Sequence, residues 1–176
     1  PVPRLERFAL GAGVAGLTRD GTGALTGLAL EGAAPVPADV VIVGAGATPN
    51  DELALAAGLE VENGVRTDAA CRTSDPRIVA AGDCARFGLE PGSAFGSDLR
   101  LESVQHAIDG GVCAARALLG RAEAYRPEPW FWSDQFVLML QIAGLGRGDA
   151  DRRVLRAGLR PGARSVWSFK AGRLHS

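Results

Sequence analysis

The sequence predicts a chain of the α/β class that continues into an α+β segment. Residues 38–45 (ADVVIVGA) form an almost uninterrupted β-branched run, which is typical of a parallel strand covered on both faces. Residues 101–119 carry apolar side chains near helical spacing, with Ser103 as a plausible N-cap. Residues 136–142 and 166–169 favour antiparallel strands. We therefore expect a layer of strands and helices followed by an antiparallel sheet.

Local patterns predict the remaining elements of the α/β layer. A short helix with an acidic start is expected at 51–57, closed by Gly58. Residues 65–67 and 78–81 are expected to be strands, and the second strand runs into Gly82. In open α/β sheets ligands bind beyond the carboxyl ends of the strands, so the loops that follow them are the expected binding region.

Residues 11–16 (GAGVAG) match the glycine pattern of a dinucleotide-binding turn. That turn needs a helix that begins at its third glycine, but Gly21, Gly23 and Gly27 follow and would not sustain one. The segment is therefore predicted to belong to an antiparallel hairpin that turns at Asp20 and Gly21.

Composition restricts the possible partners and the location. The 176 residues carry 19 basic and 20 acidic side chains, for a net charge of −1, without a long run of like charge. We therefore expect no nucleic acid partner. No apolar span of about 18 residues occurs, and the N-terminal ten residues carry charges where a signal peptide needs an apolar stretch. We expect no membrane partner and a cytoplasmic location.

The cysteines and histidines form no catalytic or metal-binding pattern. Cys71, Cys84 and Cys113 lack C-x-x-C and metal-ligand spacing, and their odd number argues against a disulfide framework, so buried thiols are expected. His106 and His175 have no partner at a spacing typical of a catalytic triad. His106 is expected on a helix surface, and neither a catalytic side chain nor a metal site is predicted.

Five segments carry a family resemblance: residues 41–54 (VIVGAGATPNDELA), 72–83 (with RTSDP and AAGD), 101–105 (LESVQ), 129–135 (PWFWSDQ) and 140–145 (LQIAGL). In order and spacing they resemble the second half of the FAD-dependent ferredoxin and rubredoxin reductases, within the pyridine nucleotide-disulfide oxidoreductase superfamily. The fourth segment discriminates best, because the wider superfamily shares the other motifs but generally not that one.

The resemblance implies a domain organisation, cofactors and a partner. Residues 1–62 would be closing strands of an NAD(P)H-binding domain, 63–121 the returning part of an FAD-binding domain, and 122–176 an incomplete antiparallel C-terminal domain. FAD and NAD(P)H would be the cofactors, and a ferredoxin or rubredoxin would accept the electrons. Both glycine fingerprints would lie in a missing N-terminal half of the same protein, so the chain by itself is expected to be inactive.

The resemblance also implies that a strand end and a helix start bind FAD. Asp83, after Gly82, would hold the ribityl chain, and Ser103, Val104 and Gln105 would aim the helix N-terminus at the pyrimidine edge of the flavin. The same residues also suit a plain turn after a strand and an ordinary capped helix.

Three further residues are implied near the reacting rings. Trp132 would pack beside the flavin ring, and Gly44 and Gly46 would approach the nicotinamide. A core aromatic cluster and a glycine loop required by the chain turn are the alternatives for these positions.

Two other functions stay open on the sequence. A relative of the disulfide reductases or NADH oxidases would share most of the five segments. A non-catalytic binding module derived from a reductase would keep the fold and lose the cofactor.

Overall fold

The computed structural model describes residues 8–89, 96, 98–145 and 148–174. The chain divides into two compact units, Pro1–Ala47 and Thr48–Ser176. The three domains implied by the resemblance stay a prediction. In the described part of the chain, no helix is long and apolar enough to cross a membrane.

The first unit contains an antiparallel sheet of three strands, in the order β1 (Val14–Arg19), β2 (Leu25–Leu30) and β3 (Ala33–Pro37). The side chain of Asp20 closes the first hairpin, because its Oδ1 accepts hydrogen bonds from the backbone amides at positions 22 and 24. Residues 11–16 therefore lead into a strand and not into a phosphate-binding turn, which confirms the hairpin prediction.

Gly27 shows why this hairpin contains glycine within a strand. A Cβ at this position would lie 2.3 Å from the backbone carbonyl oxygen of Val36 on the adjacent strand. The close approach of β2 and β3 therefore requires a residue without a side chain.

The strand predicted at residues 38–45 is wrong. This segment has no regular secondary structure, and Val40, Ile42 and Val43 are 76, 91 and 80% exposed. A buried parallel strand needs neighbouring strands on both sides, but no strand among the described residues pairs with this segment. Of its described backbone hydrogen bonds to other elements, one remains, from the Ala38 amide to the Thr26 carbonyl at 3.2 Å. Its β-branched sequence is therefore insufficient to form a strand.

The second unit begins with the helix α1 (Glu52–Ala56), close to its predicted position. Gly58 ends it with φ of 75°, donating its amide hydrogen to Leu55 while the Leu59 amide donates to Ala54. This pair of hydrogen bonds is the Schellman motif, which favours glycine at the left-handed position.

A small mixed sheet follows, in the order β4 (Val65–Thr67), β5 (Ala85–Gly88) and β6 (Asp98–Leu99). β4 and β5 are parallel, and β6 is antiparallel to β5. The prediction of β4 is confirmed, but the strand predicted at 78–81 is wrong. Only Val79 forms a bridge, with Arg72, because the chain turns back on itself through residues 73–78.

The long helix α2 (Val104–Leu118) confirms the prediction at 101–119, with a start three residues later. Ser103 caps it by accepting a hydrogen bond from the His106 amide on its Oγ, at 3.2 Å. The buried residues of α2 are Cys113 and Ala114, together with His106 and Gly110.

The burial of His106 contradicts the expected surface position. Its side chain is 4% exposed and stacks on Phe87 with ring centroids 4.9 Å apart. The apolar residues that predicted the helix, including Val104 and Ile108, lie on the exposed face instead. Apart from His106, the buried residues of α2 are small, and at Gly110 the helix closely approaches residues 81 and 82.

One buried cluster connects α2 to the small sheet; its residues are Cys71, Phe87, Leu101, Cys113, Ala114 and Tyr125. Cys71 and Cys113 are buried free thiols, as expected, whereas Cys84 is half-buried.

The C-terminal strands confirm the predicted antiparallel pairing and divide it between two sheets. β7 (Trp130–Gln135) and β8 (Leu138–Ala143) form a hairpin. β9 (Arg152–Ala157), β10 (Arg164–Lys170) and β11 (Arg173–Leu174) form a three-stranded sheet with β10 in the centre. The predicted segments 136–142 and 166–169 therefore contribute to different sheets.

Candidate cofactor-binding site

An open cavity of about 610 Å³ lies at the start of α2; it is lined by Asp83, Glu102, Ser103, Val104, Ala107 and Ile108. Three of the predicted cofactor-binding residues, Asp83, Ser103 and Val104, therefore share one surface. They come from two distant parts of the sequence, the turn before β5 and the N-terminus of α2.

The turn at Gly82 presents Asp83 to this cavity. Gly82 has φ of 76°, and its carbonyl accepts a hydrogen bond from the Ala85 amide at 2.9 Å. Arg100 donates to the backbone carbonyl of Asp83 at 3.2 Å and so fixes the main chain. The exposed Asp83 carboxylate forms no hydrogen bond or ion pair with any residue that the structure describes. It can therefore accept hydrogen bonds from a ligand hydroxyl.

The N-terminus of α2 supplies hydrogen-bond donors beside this carboxylate. Ser103 Oγ satisfies the His106 amide, and the Ser103 carbonyl accepts from the Ala107 amide. The first amides of a helix lack intrahelical acceptors, so those of Val104 and Gln105 are available to a ligand. The 15-residue helix adds the positive end of its dipole at the same place.

Apolar surface completes the cavity. The side chains of Val104 and Ile108 are each more than half exposed on the outer face of α2. A flat aromatic ligand could cover them while its polar edge meets the free amides. Gln105 is not among the residues that line the cavity, and its side chain donates along the helix to Asp109 at 2.8 Å.

The other predicted residues lie elsewhere. Trp132 is on β7, partly exposed, with its ring centroid 5.2 Å from that of Trp130, and it does not line the cavity. Gly44 and Gly46 belong to the first unit, in the segment without helix or strand. A Cβ at either glycine would meet no atom within 4 Å in the described residues, so no close contact explains them.

His106 is a neighbour of the site that the sequence analysis missed. Its Nδ1 lies 3.0 Å from the Tyr125 hydroxyl, and its buried Nε2 has no hydrogen-bond partner among the described residues. Burial lowers the pKa of His106, against smaller opposing effects from the Gly82 backbone and from the charges of Asp83 and Asp109. Its spacing to Gly110 and Cys113, four and seven residues, was the available signal for one helix face.

Burial also raises the pKa of Tyr125 to about 12, so the His106 and Tyr125 pair is uncharged near neutral pH. The pair therefore contributes no charge to the cavity. Across the described ranges, no group of three or more His, Cys, Asp or Glu side chains could hold a metal ion.

The fold thus brings a glycine turn, with a carboxylate that has no partner among the described residues, next to the capped N-terminus of a helix, where backbone amides can bind anionic and polar groups. Matches to two family profiles identify the family of this chain. The profile for pyridine nucleotide-disulphide oxidoreductases matches residues 7–111, and the profile for the reductase C-terminal domain matches residues 130–176. The chain belongs to the pyridine nucleotide-disulphide oxidoreductase family, which confirms the resemblance carried by the five segments.

Characterised relatives agree with this assignment. The chain is 46% identical over 139 residues to rhodocoxin reductase of Rhodococcus erythropolis, covering 79% of this chain and 32% of the relative. It is 39% identical over 150 residues to putidaredoxin reductase of Pseudomonas putida, covering 85% of this chain and 35% of the relative. The chain therefore spans about a third of the length of these relatives.

Solved structures confirm the predicted fold class. The ferredoxin reductase for the CYP199A2 system from Rhodopseudomonas palustris matches with a TM-score of 0.84 and 41% identity, over 94% of this chain and 40% of that one. The reductase in the covalent putidaredoxin reductase–putidaredoxin complex matches with a TM-score of 0.80 and 38% identity, over 93% and 39% of the two chains.

Proposed function

We propose that this chain is part of an FAD-dependent NAD(P)H oxidoreductase that passes electrons to a ferredoxin or rubredoxin. The observation that carries the proposal is the open cavity that brings the Asp83 carboxylate, which has no partner among the described residues, next to Ser103 and Val104 at the start of α2. Rhodocoxin reductase and putidaredoxin reductase, by their names, act with small electron-transfer proteins, which supports this class of acceptor. A cytoplasmic location remains a prediction.

The residues of the cavity suit the polar parts of FAD. Asp83 would accept a hydrogen bond from a ribityl hydroxyl, and Gly82 would let the backbone approach the ligand. The amides of Val104 and Gln105 would meet the pyrimidine edge of the flavin. When bound, FAD supplies the chemistry that converts a hydride from NAD(P)H into single electrons.

The positive end of the α2 dipole would then stabilise negative charge on the flavin, and it would take no part in the chemical steps. Negative charge placed at the start of a helix is stabilised by typically about 0.3–1 kcal/mol, and by up to about 2 kcal/mol where it is partly buried. Ser103 holds this helix start in position. Trp132 would pack on the flavin ring, and Gly44 and Gly46 would approach the nicotinamide; these three roles rest on the resemblance.

Asp83→Ala tests the proposal in a protein that extends this chain with the upstream part found in its relatives. Loss of a hydrogen bond to a charged group should weaken FAD retention by about 1–3 kcal/mol, measured as flavin absorbance after dialysis. Glu102→Ala is the matched control, since Glu102 lines the same cavity but is already paired with Arg100 at 2.5 Å. Equal flavin retention in both variants would contradict the role of Asp83.

The 176-residue chain should show no NAD(P)H-dependent reductase activity, even with added FAD and ferredoxin. Residues 11–16 match the glycine pattern of a dinucleotide-binding turn. They lead into a hairpin, however, and offer no helix amides to a pyrophosphate. The remaining contacts with a dinucleotide must offset the free-energy cost of its lost freedom on binding, which is at least several kcal/mol. Cytochrome c reduction above the rate without protein would contradict this prediction.

A further inference from the structure

Two of the three thiols lie together in the buried cluster. Cys71 is 2% exposed, and its Sγ donates to the carbonyl of Gly110 at 3.7 Å. Cys113 follows Gly110 by one helical turn and belongs to the same cluster. The Cys113 Sγ donates to the Glu123 carbonyl at 3.6 Å, and the same side chain interacts with that of Cys71. The two sulfurs are therefore neighbours, although they are far apart in sequence.

The two thiols differ in their surroundings. Burial, and after it the adjacent Cys113 sulfur, raises the pKa of the Cys71 thiol to about 12, so Cys71 keeps its proton near neutral pH. Cys113 differs from Cys71 because it lines a second cavity, which has a volume of about 350 Å³ and lies on the side of α2 that faces residues 123–126. A peroxide molecule is close to water in size, and a cavity of this volume holds several waters. A small oxidant can therefore reach Cys113 first.

The backbone at Cys71 is also unusual. Its φ of 64° lies in the left-handed region, which residues other than glycine rarely adopt. The Asp68 carboxylate accepts hydrogen bonds from the amides of Ala70 and Arg72, which hold the turn around Cys71. The turn thus presents a thiol to α2 at a position where glycine would be easier to accommodate.

We propose that Cys71 and Cys113 are a peroxide-sensitive pair that forms a disulfide bond between this turn and α2. The Cys113 sulfur attacks the peroxide: an S–O bond forms, the O–O bond breaks, and one water leaves. The Cys71 sulfur then attacks the resulting sulfenic acid: the S–S bond forms, the S–O bond breaks, and the Cys71 proton leaves with the hydroxyl as a second water. Two thiols lose two electrons, and the peroxide gains them.

Peroxide treatment of the 176-residue chain tests this proposal. Free thiols are blocked with iodoacetamide after the reaction, and a non-reducing digest is analysed by mass spectrometry. The peptides containing Cys71 and Cys113 should be linked, with the product two hydrogens lighter than the sum of the two. This pairing should exceed either pairing with Cys84 by about tenfold. An unfolded chain would instead favour the shortest loop, between Cys71 and Cys84, so the excess would reflect the folded structure.

Matched variants make the outcome decisive. Cys84→Ser should leave the linkage unchanged, although Cys84 is the most exposed of the three cysteines. Cys71→Gly suits the left-handed backbone and Cys113→Ala suits a helix, so both should fold and form no linkage. A mixture dominated by Cys84 pairings, or recovery of Cys71 and Cys113 fully alkylated after peroxide, would overturn the proposal.

Discussion

The cluster around α2 and the C-terminal strands use similar amounts of apolar sequence with opposite results. Phe87, in the cluster, is 1% exposed, whereas Met139, in β8, is 75% exposed. β8 contains four large apolar residues in six, and its entire length is exposed. The difference lies in what faces each element. α2, the small sheet and Tyr125 enclose Phe87 from several sides, while among the described strands β8 pairs with β7 alone. Apolar composition therefore produces a core only where a second layer covers it.

The largest expected effect comes from truncating the centre of the cluster. Phe87→Ala should destabilise the second unit by about 3–5 kcal/mol, because it leaves a cavity and removes the ring contacts with His106 and Tyr125. Met139→Ala is the matched change in β8 and should cost less than about 0.5 kcal/mol. Urea unfolding followed by circular dichroism measures both. Similar losses in the two variants would show that β8 is packed as tightly as the cluster.

Alanine substitution at two glycines beside the cluster should change the stability of the protein in opposite directions. Gly82→Ala forces a side chain into a backbone with φ of 76° and should cost about 1–3 kcal/mol. Gly111→Ala should stabilise the protein by up to about 1 kcal/mol, because Gly111 lies within α2 and a Cβ there meets no described atom within 4 Å. Thermal unfolding would show the two shifts, and a gain from both substitutions would argue against the observed turn at Gly82.

The buried His106 should make stability depend on pH. Its pKa is near 6.5 in the unfolded chain and lower in the folded chain, so the unfolded chain binds more protons between these two values. Stability should therefore be fully present above about pH 6.5 and decline as the pH falls below it. His106→Asn should flatten this decline in urea unfolding midpoints measured at several pH values. An unchanged slope in the variant would show that another group is responsible.

The smallest stability effect is expected from charge on β8. Leu138→Lys should change the free energy of unfolding by less than about 0.5 kcal/mol, since the side chain is already exposed. It should at the same time reduce self-association in analytical ultracentrifugation, because it interrupts an exposed apolar strand. Leu101→Lys, at a residue 3% exposed in the cluster, is the control that should unfold the protein.

The sequence predicted those elements whose signals are local. The hairpin at Asp20, the helix end at Gly58 and the cap at Ser103 each follow from a few neighbouring residues. The strand at 38–45 and the burial of His106 could not be predicted in this way. The first depends on strands to pair with, and the second depends on how closely α2 approaches Gly82.

In the candidate site, too, some residues could be identified from the sequence and others depend on contacts in the folded chain. Asp83, Ser103 and Val104 were identified by resemblance, and the structure places them around one cavity. The contact between His106 and Tyr125 was not predicted, because two residues nineteen positions apart meet only in the folded chain. Periodicity pointed to the apolar residues of α2, but the buried face is built from smaller side chains.

The outer face of α2 also bears on the fate of the chain in a cell. Val104, Ile108 and Val112 present a stripe of apolar side chains to solvent along about two turns of the helix. Surfaces of this kind are what quality control detects in incompletely assembled proteins. Chaperones and proteases would therefore engage the chain for as long as this stripe stays uncovered.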